Sequence, residues 1–113
     1  MIIIRETLTF EALKQMAARL FGELVKGVVD VDRELLAVDA ELHADLEALL
    51  LQDGSTQSSL WGINLYPDLP RDQWIECDSV INIRPSQGNR SRGVDDEAMR
   101  KTIGAIVDKR VTR

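Results

Sequence analysis

The stretch VKGVVDVDRELLAVDA, residues 25–40, does most to limit what this chain can fold into. Two apolar runs flank a polar DRE. Val25, Val28, Val29, Leu35 and Leu36 could share one helical face. However, β-branched side chains lose χ1 freedom in a helix and fit a pleated surface. Val28, Val29 and Val31, followed by the polar turn, therefore predict a β-hairpin.

The flanking segments extend that reading. Met1 to Arg5 is short and β-branched, so it reads as a strand. Thr9 stands where a helix N-cap is needed, with Leu8 and Leu13 placed for a hydrophobic staple. Leu13, Met16, Leu20 and Leu24 then repeat at helical spacing. AELHADLEALLLQDG predicts a second helix, with Leu42, Leu46, Leu49 and Leu50 as its buried stripe and Gly54 as its stop.

SLWGINLYP alternates, with Trp61, Ile63 and Leu65 on one face and Gly62, Asn64 and Tyr66 on the other. WIECDSVINIR alternates as well. It places Ile75, Cys77, Ile81 and Ile83 inward and Glu76, Asp78, Asn82 and Arg84 outward, and Pro85 ends the strand. Asp95 is the expected N-cap of the last helix, stapled by Val94 and Met99, with Met99, Ile103, Ile106 and Val107 as its core stripe. The sum is an α+β fold in the order β-α-β-β-α-β-β-α. It has about five mostly antiparallel strands and three helices packed over one sheet face. Residues 1–113 read as a single domain, with no repeat and no dividing linker.

Composition bounds the function classes. The 44% apolar and 29% charged shares are those of a globular chain, which excludes global disorder. Cys77 is the only cysteine, so neither an intramolecular disulfide nor a thiolate zinc cluster can be built. MIII is followed by Arg5 and Glu6, too short for a signal peptide, and no segment is long enough to cross a bilayer. These features read as cytoplasmic. Residues 1–83 carry six basic and fifteen acidic side chains, whereas residues 84–113 carry eight and four. A basic segment on an acidic body points to a small anionic ligand, or to self-association of unlike faces in a homo-oligomer.

Three strings resemble a known family when taken together: ELHADLEALLLQDGS, LWGINLYP and INIRPSQGNRSRGV. They resemble a small bacterial family catalogued as a domain of unknown function (five-six-seven-four in the usual numbering). The likeness covers nearly the whole chain, and RPSQGNRSRG is its most specific part. It implies a stand-alone domain and carries no activity.

The loop within INIRPSQGNRSRG holds the inventory of an anion site. Arg84, Arg90 and Arg92 are planar cationic forks. Asn82, Gln87 and Asn89 add amide groups, and Gly88 and Gly93 allow tight turns. It matches no phosphate-loop or dinucleotide fingerprint. Asp95, Asp96 and Glu97 already neutralise the following helix end, so an anion would sit on the arginines and loop amides. A structural reading competes with this one: Arg90 and Arg92 pair with those carboxylates, while Gln87 and Asn89 satisfy buried backbone groups. The acidic body and the lack of interleaved aromatics argue against nucleic acid.

His43 and Glu47 share a helical face four residues apart. Two ligands are too few for structural zinc, so no metal or cofactor is expected. A hydrogen bond between His43 and Glu47 is the plainer outcome. As the one histidine, His43 is nonetheless the candidate general base, and a small enzyme is the alternative to a binding module. Asn64, Tyr66, Asn82 and Arg84 would form a polar patch beside the loop if even positions pair with even. Cys77 reads as a buried small hydrophobe, and Trp61 and Trp74 as core or rim.

Overall fold

A computed structural model describes residues 1–113. The elements in chain order are β1 (Ile2–Ile4), β2 (Leu8–Thr9), α1 (Phe10–Arg19), β3 (Val25–Asp30), β4 (Leu35–Val38) and α2 (His43–Gln52). They continue with β5 (Leu60–Leu65), β6 (Ile75–Glu76), α3 (Glu97–Arg110) and β7 (Val111–Thr112), with short 3-10 turns at Gln57–Ser59, Val80–Asn82 and Pro85–Gln87. The fold is α+β. Its main sheet has five strands in the order β1-β4-β3-β5-β6, every pair antiparallel. A two-stranded parallel pairing of β2 with β7 joins the ends of the chain.

The hairpin forms as the valine-rich stretch predicts. β3 and β4 pair from Gly27 with Val38 to Asp30 with Leu35. Asp30 is fully buried and closes the turn, its carboxylate accepting from the Asp32 and Arg33 amides at 2.9 and 3.0 Å. The Ser55 hydroxyl also donates to Asp30, and that of Ser59 to Asp32. This accounts for the serine-rich loop after α2.

Thr9 caps α1 as expected, its hydroxyl accepting from the Ala12 amide at 3.1 Å. The cap of α3 lies one residue beyond the expected Asp95. The Asp96 side chain accepts from the Ala98 amide. Asp95 is drawn back onto the loop instead, receiving the Arg90 amide and the Ser91 hydroxyl.

The helices do not share one sheet face. Val25, Val29, Leu36, Val38, Trp61 and Ile63 belong to the core under α1 and α3, with Leu13, Ile103 and Val107. Val28, Leu35, Ala37 and Leu60 have the opposite parity and pack with Leu46 and Leu50 of α2. The central strands are therefore covered on both sides, and every residue of β5 is buried. Of the expected α2 stripe, Leu46 and Leu50 are fully buried, each stabilising by about 1.5–3 kcal/mol, whereas Leu42 projects outward. Gly54, at φ +110°, ends the helix, and the Ser55 amide donates back to Leu50 O at 2.9 Å.

The strand expected through Arg84 stops at Glu76. Its even register is as expected where it exists, Asn64 pairing with Glu76. Beyond that, Asn82 turns inward and is completely buried, and Ile83 is exposed, the reverse of the alternation. The cause is local. The Asn82 amide accepts from Gly62 N at 2.8 Å and donates to Gly62 O at 3.0 Å, repeating the donor–acceptor pair of a peptide unit. One side chain thus completes the ladder that the backbone leaves. Gly62 makes room for this, because a Cβ there would lie 2.5 Å from Ser79 Cβ.

Candidate functional site

Where α2 stops covering its face of the sheet, a cleft of about 290 Å³ opens. Its walls are Leu42, His43 and Ala44 at the start of α2, Lys26 of β3, Asn64 of β5, the 78–81 segment, and Arg92. Five different parts of the sequence meet there. It lies on the face of the sheet opposite α1 and α3.

The helix end in the cleft lacks its usual cap. Leu42 occupies the N-cap position in extended geometry and makes no side-chain bond to the helix. Serine, threonine, aspartate or asparagine normally satisfies one of the free amides there. Without one, the His43 and Ala44 amides have no side-chain acceptor, while the Asp45 amide donates back to Leu42 O at 3.2 Å and the Asp45 carboxylate sits in the first turn.

His43 is half-buried beside that end, with Nε2 2.8 Å from Ile63 O. A carbonyl can only accept, so Nε2 carries the proton and Nδ1 keeps the lone pair in the neutral ring. Burial pushes the imidazole below its ordinary pKa, aided by Lys26. The Ile63 carbonyl, Asp78 and Asn64 pull the other way without offsetting it. The expected bond to Glu47 is absent. Glu47 instead favours the charge on Arg84, which burial pushes down from its ordinary value.

Asn64 is buried, and its amide nitrogen donates to Glu76 Oε1 at 2.9 Å and to Asp78 O at 3.4 Å. Turning the amide over would set its oxygen against a carboxylate and a carbonyl, so the orientation is fixed. Asn64 Oδ1 is thereby left buried with no partner. A buried orphan acceptor costs roughly 1–3 kcal/mol. Arg92 donates from Nε to Asp78 Oδ1 at 2.7 Å, and both side chains remain substantially exposed. Lys26 makes no ion pair; its ammonium lies 5.1 Å from the centre of the Phe21 ring.

The loop residues separate rather than converge. Asn89 is buried and donates to Asn82 O, Gly93 O and Ser91 O, while its oxygen accepts from the Asp95 amide at 2.8 Å. Asn82 holds Gly62 and also donates to Arg92 O at 2.9 Å. Both amides are therefore spent inside the chain. Arg84 stacks on Trp61 with its guanidinium carbon 4.0 Å from the ring centre, and donates to Gln57 O at 2.6 Å. Its Nε and Nη2, and Trp61 Nε1, are buried without partners. Gln87 and Arg90 are exposed, and neither Arg90 nor Arg92 forms an ion pair with Asp95, Asp96 or Glu97.

Of the residues singled out from sequence, His43, Asn64 and Arg92 therefore meet in one cleft; Asn82, Arg84, Gln87, Asn89, Arg90 and Glu47 do not line it. Lys26, Asp78 and Ser79 escaped notice because nothing in their local sequence is unusual. Leu42 did carry a signal, an apolar residue where a helix cap belongs. Cys77 is half-buried, and burial pushes its thiol up, which suits a packing role. No group of histidine, cysteine and carboxylate side chains is arranged to hold a metal, and no helix is long and apolar enough to cross a membrane.

Over residues 2–110 the chain matches the family described as Protein of unknown function (DUF5674). No curated protein and no solved structure matches it. The chain belongs to the DUF5674 family.

Proposed function

We propose that this DUF5674 protein is a one-domain cytoplasmic binding module for a small anionic ligand, held in the cleft at the start of α2. The supporting observation is the company kept there. Lys26 without an ion pair, Arg92, whose pairing with Asp78 runs through Nε alone, and the uncapped end of α2 surround a single opening. Each favours negative charge, and an anion could take the free amides while the two cations flank it. Arg92 carries over from the polar loop, so the loop contributes charge through one arginine and acts otherwise as scaffold.

The test is a calorimetric titration of inorganic phosphate, phosphate monoesters and short carboxylates against wild type, Lys26→Ala, Arg92→Ala and Arg90→Ala. Each of the first two variants is expected to weaken binding about tenfold, as loss of one charged hydrogen bond does, and Arg90→Ala to leave it unchanged. Sensitivity to Arg90→Ala alone would return the site to the exposed loop. No heat from any compound would end the anion reading.

His43 supports a second reading, a small enzyme. Its Nε2 is fixed on Ile63 O, its ring tends to neutrality, and Arg92 lines the same cleft to stabilise developing negative charge. Turnover abolished by His43→Gln, with anion affinity retained, would favour this reading over simple binding.

A further inference from the structure

We infer that the cleft selects an anion carried on a small apolar body, such as an aromatic or short acyl phosphate or carboxylate, over a bare or polyol-borne anion. The inference rests on the anion reading above and adds the class of ligand. Val80, at 65%, is the most exposed large apolar side chain of the molecule, and Leu42, at 56%, follows it with only the terminal Met1 between them. Both line this cleft, from different elements. Ala44 and Ile81 are also among its walls, beside Lys26 and Arg92.

Neither exposure is an accident of a loose loop. Leu42 sits at the N-cap, where a polar residue would serve the helix better. Val80 opens a 3-10 turn capped by Ser79, whose hydroxyl accepts from the Ile81 amide. That turn is fastened to β5, Ser79 packing over Gly62 and Asn82 bonding it. The sheet thus holds Val80 outward. A hydrophilic anion would leave both side chains in water, whereas an apolar body would cover them, with a gain proportional to the area removed. The cleft volume lies near the lower end for small-molecule sites, which suits one ring or a short chain better than a nucleotide.

The decisive comparison uses phenyl phosphate and glycerol phosphate, which share the anionic group. Each is titrated into wild type, Leu42→Ala, which leaves the helix end uncapped, and Val80→Ser, with amide chemical shifts of His43 and Ala44 reporting the location. Wild type is expected to bind phenyl phosphate about tenfold more tightly, and each variant to lose most of that preference while binding glycerol phosphate as before. Thermal melting confirms that both variants fold. Equal affinities in wild type, or a preference that survives both substitutions, would overturn the inference and leave the anion site standing. Failure of both compounds to bind would remove the site and the inference together.

Discussion

The loop of residues 84–93 and the cleft beside α2 hold their polar groups in opposite states. The loop is the most polar stretch of the sequence, yet its buried amide, Asn89, and that of Asn82 just before it are consumed internally. Asn89 gathers the carbonyls of residues 82, 91 and 93, and Asn82 completes the β5 ladder through Gly62. The cleft is plain in sequence, yet it keeps an uncapped helix end, an ammonium without an ion pair and an orphan amide oxygen. Density of polar residues marks a backbone that needs satisfying. Function is better sought where polar groups remain unspent.

The largest test of this contrast is Asn82→Ala. It removes two buried hydrogen bonds and one part-buried one and strands Gly62 N and O, so a loss of about 3 kcal/mol in urea unfolding is expected. A loss below roughly 1 kcal/mol would show that the loop is not held as described. A smaller and opposite effect is expected on the cleft side. Leu42→Ser supplies the missing cap, so α2 should gain about 1 kcal/mol, read as a higher thermal midpoint. No gain would mean that the end of α2 is already satisfied.

The smallest effect is a pH dependence. His43 has a folded pKa below its ordinary 6.5, so the unfolded chain takes up the proton first. Its contribution to stability is complete above about pH 6.5 and is lost as pH falls from there through the lower folded value. His43→Gln lacks this component, and the two urea midpoints compared at neutral and acidic pH should diverge accordingly. An anion in the cleft favours the imidazolium, so affinity should rise as the solution is acidified. Affinity independent of pH would place the anion away from His43.

Much of the fold was legible because it rests on local chemistry. The valine-rich hairpin, the Thr9 cap, the Gly54 stop and the α3 stripe each follow from side-chain shape or hydrogen bonding over a few residues. The second alternating strand misled because alternation records burial parity, not which group completes the ladder. There an asparagine side chain replaced the backbone, and the parity inverted at Asn82 and Ile83. The N-cap moved from Asp95 to Asp96 because the loop had a stronger claim on Asp95, where the Ser91 hydroxyl and the Arg90 amide hold the carboxyl below its usual range.

The candidate site was legible only in pieces. His43 stood out as the single histidine and Arg92 as one of three clustered arginines, but nothing in the sequence put them together. Lys26 sits in a strand whose pattern speaks only of pairing, and Asn64 was legible only as one member of a polar sheet face. From sequence alone came the α+β class, the order of the elements and the residue types from which an anion site could be made. The tertiary structure decided which of those residues face one another. α2 settled on the sheet face opposite the other helices, and Gly62 left room for the 78–82 segment to pack beside it. Side-chain pattern is set by neighbours three or four residues away, whereas a cleft is set by strand order and by which helix covers which face. Those choices rest on contacts between residues far apart in the chain.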